Sequence, residues 1–342
     1  MPLREQIKLA VEGQHLSRAQ SSAAIDAMLD GSAPASQMAA LLVALRMKGE
    51  TPDEIAGAAQ ALRSRAVRVE VSLERLIDTC GTGGDGSQTF NISTAAALVA
   101  AAGGARVAKH GNRAVSSKCG SADVLQALGV EVELTPQAVA SCIDEVGIGF
   151  LFAPRHHGAM KHVAPVRKEL GLRTLFNLLG PLANPAGARR QLLGVYDRRQ
   201  VNVLAQTLAE LGCDRAFVVH GAGGLDEIST SGPTLICEVR DGSVRSFEIS
   251  PEDAGIERAP LSALRGGDAA ENAALLRGVL RGEPGARRSA VVLNAGAALA
   301  AAGVCETIPE GARLAERVID SGAALDRLEK LVRASQSRKA AP

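Results

Sequence analysis

The chain has 342 residues, 46% hydrophobic and 22% charged, an ordinary globular composition long enough for two domains or one large α/β unit with an appendage. A net charge of +1, 2% aromatic residues, no Trp and one Tyr argue against a broad nucleic-acid or anionic-membrane footprint and against base-stacking platforms. The six cysteines form no C-x-x-C pair, which argues against a zinc knuckle or disulfide framework and fits reduced thiols in the cytoplasm.

The N-terminal MPLREQIKLAVEG has no apolar run of signal-peptide length, and residues 1–66 read as helices only. Ser17 and Gln20 have capping-box spacing, and Thr51-Pro-Asp-Glu54 places an N-cap, a Pro at N1 and an acid at N3. Met38, Leu41, Leu42 and Leu45 recur on one helix face. Four short helices have little core of their own, so this bundle is expected to lean on the rest of the chain or on another subunit.

After about residue 70, short apolar runs alternate with capped helices. Strands are expected at Arg75–Asp78, Ala105–Ala108, Val130–Leu134, Ile148–Phe152, Gln191–Tyr196 and Ala216–His220. Helices are expected at Ser93–Ala102, Ser121–Leu128, Pro136–Val146 and Arg199–Leu211, with Gly129, Gly147 and Gly212 as their C-terminal stops. The run around Ala95–Gly104 is too short to span a bilayer. Such alternation predicts an α/β domain with a mostly parallel central sheet flanked by helices. Asp241-Gly242 predicts an antiparallel hairpin between Thr234–Arg240 and Ser243–Ile249. The chain ends in helices, including Pro309–Ile319 and Ala323–Val332. The expected division is a helical domain over residues 1–70, joined by part of 158–186, and an α/β domain over 71–342.

Three segments carry chemistry. Asp78–Thr94 reads DTCGTGGDGSQTFNIST, a strand running into a glycine loop and then a helix start. Glycines let backbone amides approach a ligand and form an anion nest, and the helix start adds free N–H groups and a favourable dipole. That is a phosphate cradle without a Walker lysine. Lys109–Ser117, KHGNRAVSS, follows the next strand and offers charges and hydroxyls at the same expected sheet edge. Leu225-Asp-Glu-Ile228 places two carboxylates side by side, which a shared Mg²⁺ would relieve, although a surface Asp-Glu pair looks the same. Arg167 can hold a carboxylate with two parallel hydrogen bonds, although by itself such an Arg is more often a surface salt bridge. His156, His157 and His162 are too loosely spaced for a metal cluster and read as loop or core residues.

In this order, GTGGDGSQTFNIST, KHGNRAVSSKCGSADVLQALG, MKHVAPVRKELGLRTLFNLLGPLANP and HGAGGLDEIS resemble the anthranilate phosphoribosyltransferase family over nearly the whole chain. The resemblance implies a small helical domain and a large α/β domain. It implies transfer of the phosphoribosyl group of 5-phosphoribosyl 1-pyrophosphate to anthranilate in tryptophan biosynthesis, and a homodimer formed through the helical domain. Carried onto this sequence, the donor ligands are Gly81, Gly84, Asp85, Thr89, Asn91, Ile92, Ser93 and Thr94. To these it adds Lys109, His110, Gly111, Asn112, Arg113, Ala114, Val115, Ser116, Ser117 and Ser121. Anthranilate is expected at Gly81, Asn112 and Arg167, and Mg²⁺, two ions per subunit with substrate bound, at Ser93, Asp226 and Glu227. Gly158 and Ala222-Gly223 depart from the family's pattern without removing a ligand group. No strong general base is required; His110 is a weak candidate. The competing readings are a pyrimidine nucleoside phosphorylase on the same scaffold, whose Lys-His-Ser-Thr-Gly-Gly run is missing here, and a non-catalytic nucleic-acid-binding relative.

Overall fold

The computed structural model describes residues 3–114 and 118–339. Four helices open the chain: α1 (Arg4–Val11), α2 (Arg18–Leu29), α3 (Ala35–Lys48) and α4 (Pro52–Ser64). Both predicted capping boxes form, at Ser17/Gln20 and Thr51/Glu54, each worth about 1 kcal/mol. The Glu54 carboxylate is fully buried. It accepts from Thr51 N, Leu16 N and Lys48 Nζ at 2.8, 2.9 and 2.9 Å, so one cap also ties together the loops before α2 and α4.

The α/β part runs β1 (Leu76–Gly81), α5 (Ile92–Ala102), β2 (Arg106–Gly111), α6 (Ser121–Ala127), α7 (Pro136–Val146) and β3 (Ile148–Phe152). Then come α8 (Ala153–His156), α9 (Ala164–Leu170), α10 (Phe176–Leu182), β4 (Arg190–Gly194), α11 (Gln200–Glu210) and β5 (Arg215–Gly221). It closes with β6 (Thr234–Arg240), β7 (Ser243–Ile249), α12 (Ala269–Leu280), α13 (Ala286–Ala301), α14 (Ile308–Asp320) and α15 (Ala323–Gln336). The seven strands form one sheet in the order β3-β2-β1-β4-β5-β6-β7. The first five are parallel, and β6 and β7 form the expected antiparallel hairpin, with Asp241 and Gly242 both at positive φ.

Two cores lie on opposite faces of the sheet. One packs α5 against β1 to β3 and α13 against β1, β4 and β5, with α14 and α15 behind these helices, and is rich in Ala, Leu and Val. The other joins the N-terminal bundle to Val163, Val166, Leu175, Phe176 and Leu179 from α9 and α10, and continues through α11 onto β4 and β5. Residues 158–186 therefore share a core with the bundle, and the bundle rests on the rest of its own chain. Met38, Leu41, Leu42 and Leu45 are all buried within that core, so this face is not free for a second subunit.

Two expected elements differ. Val130–Leu134 forms no strand, although Val130, Val132 and Leu134 alternate inward as a strand would. Its amides are met by side chains, Glu131 N by Ser335 Oγ at 3.0 Å and Glu133 N by Glu131 Oε1 at 3.0 Å, and β3 holds the place beside β2. The second expected strand runs on through Lys109, His110 and Gly111, because the Lys109 side chain finds a buried partner beneath the sheet edge. Among the described residues, no helix is long and apolar enough to cross a membrane, and no two cysteines are joined in a disulfide.

Candidate active site

The parallel strands β1, β2, β4 and β5 all end in glycine, at Gly81, Gly111, Gly194 and Gly221. β1 has β2 on one side and β4 on the other, so the strand order reverses there. A crevice opens at such a switch point beyond the carboxyl ends of the strands, and ligands bind in it. All three sequence segments with site chemistry converge on this edge.

The loop from Gly81 to Asn91 is shaped by backbone. Gly83, Gly84 and Gly86 have φ of +66°, +73° and +72°, conformations that a side chain would strain. Thr82 N donates to Gly194 O at 2.9 Å, and Gly83 N to Asp226 Oδ2 at 2.9 Å. On the far side, Phe90 N bonds Leu264 O and Gly266 N bonds Gln88 O, while Thr89 bridges to Arg265. The N-cap residue of α5, Asn91, makes no side-chain cap, and a carboxylate from a remote loop takes that place at the helix start beside the glycine loop. Ser93 N points to Glu227 Oε1 at 3.1 Å. Ile92 and Thr94 are buried, their amides bonded to Phe90 O and Asn91 O, and Thr94 Oγ1 has no hydrogen-bond partner.

Three carboxylates crowd this loop. Asp226 and Glu227 reach it because β4 ends in Gly194: a Cβ there would overlap the Asp226 backbone. Burial first, and then the Asp85 carboxylate, push Asp226 well above the usual carboxylate range. Burial and then Asp226 do the same to Glu227, and Lys109 only partly offsets this. Asp85 Oδ2 is buried with no partner. Among the described residues no three His, Cys, Asp or Glu side chains stand close enough to hold an ion by themselves. The orphaned oxygen and the mutual repulsion fit a hard cation such as Mg²⁺, which takes one or two carboxylates, completes its shell with water and phosphate oxygens, and would relieve both.

Lys109 does not project from a loop. It lies buried under Ser93, its Nζ 2.6 Å from Thr79 O and 3.4 Å from Ser93 Oγ, and burial lowers its pKa. It braces the α5 start. His110 is also buried; its N donates to Asp78 Oδ1 at 3.1 Å. Its Nδ1 lies 3.1 Å from Gly180 O, which can only accept, so the proton sits on Nδ1 and the unpartnered Nε2 is an acceptor. Burial, reinforced by His157 with rings 5.1 Å apart, presses the His110 pKa down to about 3. His156, also buried, spends Nδ1 on Val67 O at 2.8 Å.

The loop after β2 is held differently. Asp123 Oδ2 accepts from Ala114 N and Gly120 N, both at 2.9 Å, and Asn112 Oδ1 accepts from Arg113 N. Arg113 is engaged with Gln126 at 2.8 Å, Glu133 at 3.3 Å and Asp123 at 3.5 Å. Ser121 Oγ lies 3.4 Å from Asn112 O, and a Cβ at Gly111 would overlap it. Val115, Ser116 and Ser117 lie outside the described residues. Arg167, on α9, is half-buried with its guanidinium 5.6 Å over the Phe176 ring; among the described residues no acceptor bonds it.

Two family models match the chain: the helical bundle domain of a glycosyl transferase family over residues 4–66 and its a/b domain over residues 73–325. The chain is 56% identical over 325 residues, 95% of each chain, to anthranilate phosphoribosyltransferase from Symbiobacterium thermophilum. It is 57% identical to the enzyme of that name from Anaeromyxobacter sp. strain K, covering 97% of this chain and 98% of the other. The crystal structure of anthranilate phosphoribosyltransferase from Thermus thermophilus superposes with a TM-score of 0.92 at 47% identity, covering 97% of this chain and 99% of that one. The Saccharomyces cerevisiae enzyme, solved with PRPP and Mg, gives 0.88 at 30% identity, covering 98% of each chain. The chain belongs to the anthranilate phosphoribosyltransferase family.

Within this family frame, four residues without an assigned role in the sequence reading hold the site together. Asp78, buried and pushed up to about 6 by burial, accepts from Asn184 Nδ2 at 2.8 Å as well as from His110 N. Asn184 Nδ2 also reaches Ala108 O, so one carboxamide ties the segment after α10 to β1 and β2. Asn272, on α12, donates to Asn91 Oδ1 at 3.0 Å, and Asn91 Nδ2 donates to Cys119 O at 3.3 Å; this chain links the two ligand loops. Arg173 reaches Gly83 O at 3.0 Å. Asp78, Arg173 and Asn184 stand inside the motifs, where their chemical type is the available signal. Asn272 carries none, since its partner is remote in sequence.

Proposed function

We infer that this chain is an anthranilate phosphoribosyltransferase, joining the amine of anthranilate to C1 of 5-phosphoribosyl 1-pyrophosphate with release of pyrophosphate, in L-tryptophan biosynthesis. The observation that carries the reading is the meeting of the glycine loop, the start of α5 and the Asp85/Asp226/Glu227 carboxylates at the sheet's switch point. The loop amides and the α5 N-terminus hold the donor's phosphates. Ser93, Asp226 and Glu227 would hold two Mg²⁺ ions, which neutralise charge on the leaving pyrophosphate. Lys109 fixes Ser93 from below. Arg167, half-buried beside Phe176 without an anion, meets the anthranilate carboxylate, with Asn112 and the Gly81 backbone alongside.

An aromatic amine is a neutral nucleophile at pH 7, so alignment and charge neutralisation carry the catalysis. His110 is a poor proton sink at a pKa of about 3; its Nε2 serves as a hydrogen-bond acceptor. Loss of anthranilate fluorescence on mixing enzyme, donor and Mg²⁺ tests the reading. The expected result is a decay that requires all three; no decay, with phosphorolysis of a pyrimidine nucleoside instead, assigns the fold to the other branch.

We further propose a cytoplasmic homodimer through the helical domain. The supporting surface is not the buried Met38 face but a groove of about 580 Å³ between α1 and α3, lined by Ala10, Val11, Ala40, Val43 and Met47. Val11 is 71% and Met47 83% exposed, more than isolated surface positions require. Light scattering at micromolar concentration should give a dimer mass, and Met47→Asp a monomer.

A further inference from the structure

Arg173 lies between α9 and α10, on the segment whose apolar residues share the core of the helical bundle, yet its guanidinium sits in the glycine loop of the α/β part. Three contacts define its place. Nη2 donates to Gly83 O at 3.0 Å. Cζ stands 3.8 Å over the ring of Tyr196, just beyond the end of β4. A Cβ at Gly84 would overlap the guanidinium, so the loop is glycine there partly to admit this side chain. Nη1 is buried without a partner.

The Gly83 residue is thereby held from both sides. Its N–H is bound by Asp226 and its C=O by Arg173. Tyr196 is fixed in turn, since its N donates to Thr82 Oγ1 at 3.3 Å. A stacked arginine with a directed hydrogen bond is worth more than a point charge, and lysine does not reproduce it.

We propose that Arg173 is a positioning residue for the phosphoribosyl donor: it holds the glycine loop in its phosphate-binding form. This rests on reading the loop as the donor cradle.

The test compares Arg173→Met, Arg173→Lys and Tyr196→Leu with the wild type, whose own turnover of the two substrates is established first and reports on the donor-cradle reading separately. Arg173→Met should raise the donor KM about 10-fold or more while the anthranilate KM changes less than about 2-fold, with a thermal midpoint near the wild type's. Arg173→Lys should recover little, and Tyr196→Leu should shift the donor KM in the same direction by a smaller factor. Should Arg173→Met fail to fold, Tyr196→Leu decides: a donor-selective rise supports the role and an unchanged donor KM overturns it. Equal effects on both substrates, or full recovery with Lys, also overturn it, since the first describes general loosening and the second charge alone.

Discussion

The loops after β1 and β2 leave adjacent parallel strands at the same sheet edge, and both are rich in glycine and polar side chains. They are nevertheless finished in opposite ways. After β2, the polar groups of the described residues satisfy one another: Asp123 takes up two loop amides and, with Gln126 and Glu133, the Arg113 guanidinium. After β1, the loop leaves demand unmet, with Asp85 Oδ2 orphaned, two carboxylates raised by burial and neighbouring charge, and a helix start capped only by one of those carboxylates. A count of donors in a loop therefore does not measure its readiness for a ligand. Leftover valence does.

That contrast predicts unequal mutational effects. The largest belongs to the unmet side. Asp226→Asn with Glu227→Gln keeps size and removes charge. It should fold, since the pair repels in the empty site, and lose turnover by about 10²–10³-fold. Next comes Arg167→Ala. Its guanidinium lacks an anion, so it is available for a carboxylate, and its loss should cost about 1.5–3 kcal/mol in anthranilate KM and much less in donor KM. Equal shifts would make it structural. The smallest belongs to the satisfied side: Arg113→Gln removes exposed pairs worth about 0–1 kcal/mol, and the donor KM should move by less than about 5-fold. A shift as large as that of Arg167→Ala would mean that Arg113 leaves its pairs for the donor.

The same contrast explains what is legible in the sequence. Capping boxes, C-terminal glycines and the Asp-Gly hairpin are local signals with local causes, and they read correctly. Val130–Leu134 has a strand's alternation but no strand, because alternation reports burial on one side, whereas a strand also needs a free neighbour in the sheet. Lys109 reads as a loop ligand because charge after a strand suggests an exposed tip; its partner, Thr79 O, is thirty positions away. The roles of Arg173 and Asn272 stay silent for the same reason, their partners lying 90 and 181 positions distant. The apolar face at Met38 is visible, but which surface covers it is not: α3 packs on the chain's own α1 and α9, leaving Val11 and Met47 outside.

The most direct test of the central claim, that buried carboxylates at the β1–β4 crevice bind the donor through Mg²⁺, is calorimetric. Binding of 5-phosphoribosyl 1-pyrophosphate is titrated with and without Mg²⁺ for the wild type and for the Asp226→Asn/Glu227→Gln variant. The wild type should bind markedly tighter with Mg²⁺, and the folded variant should lose that difference. A variant that keeps the wild-type affinity and its full Mg²⁺ dependence would contradict the account.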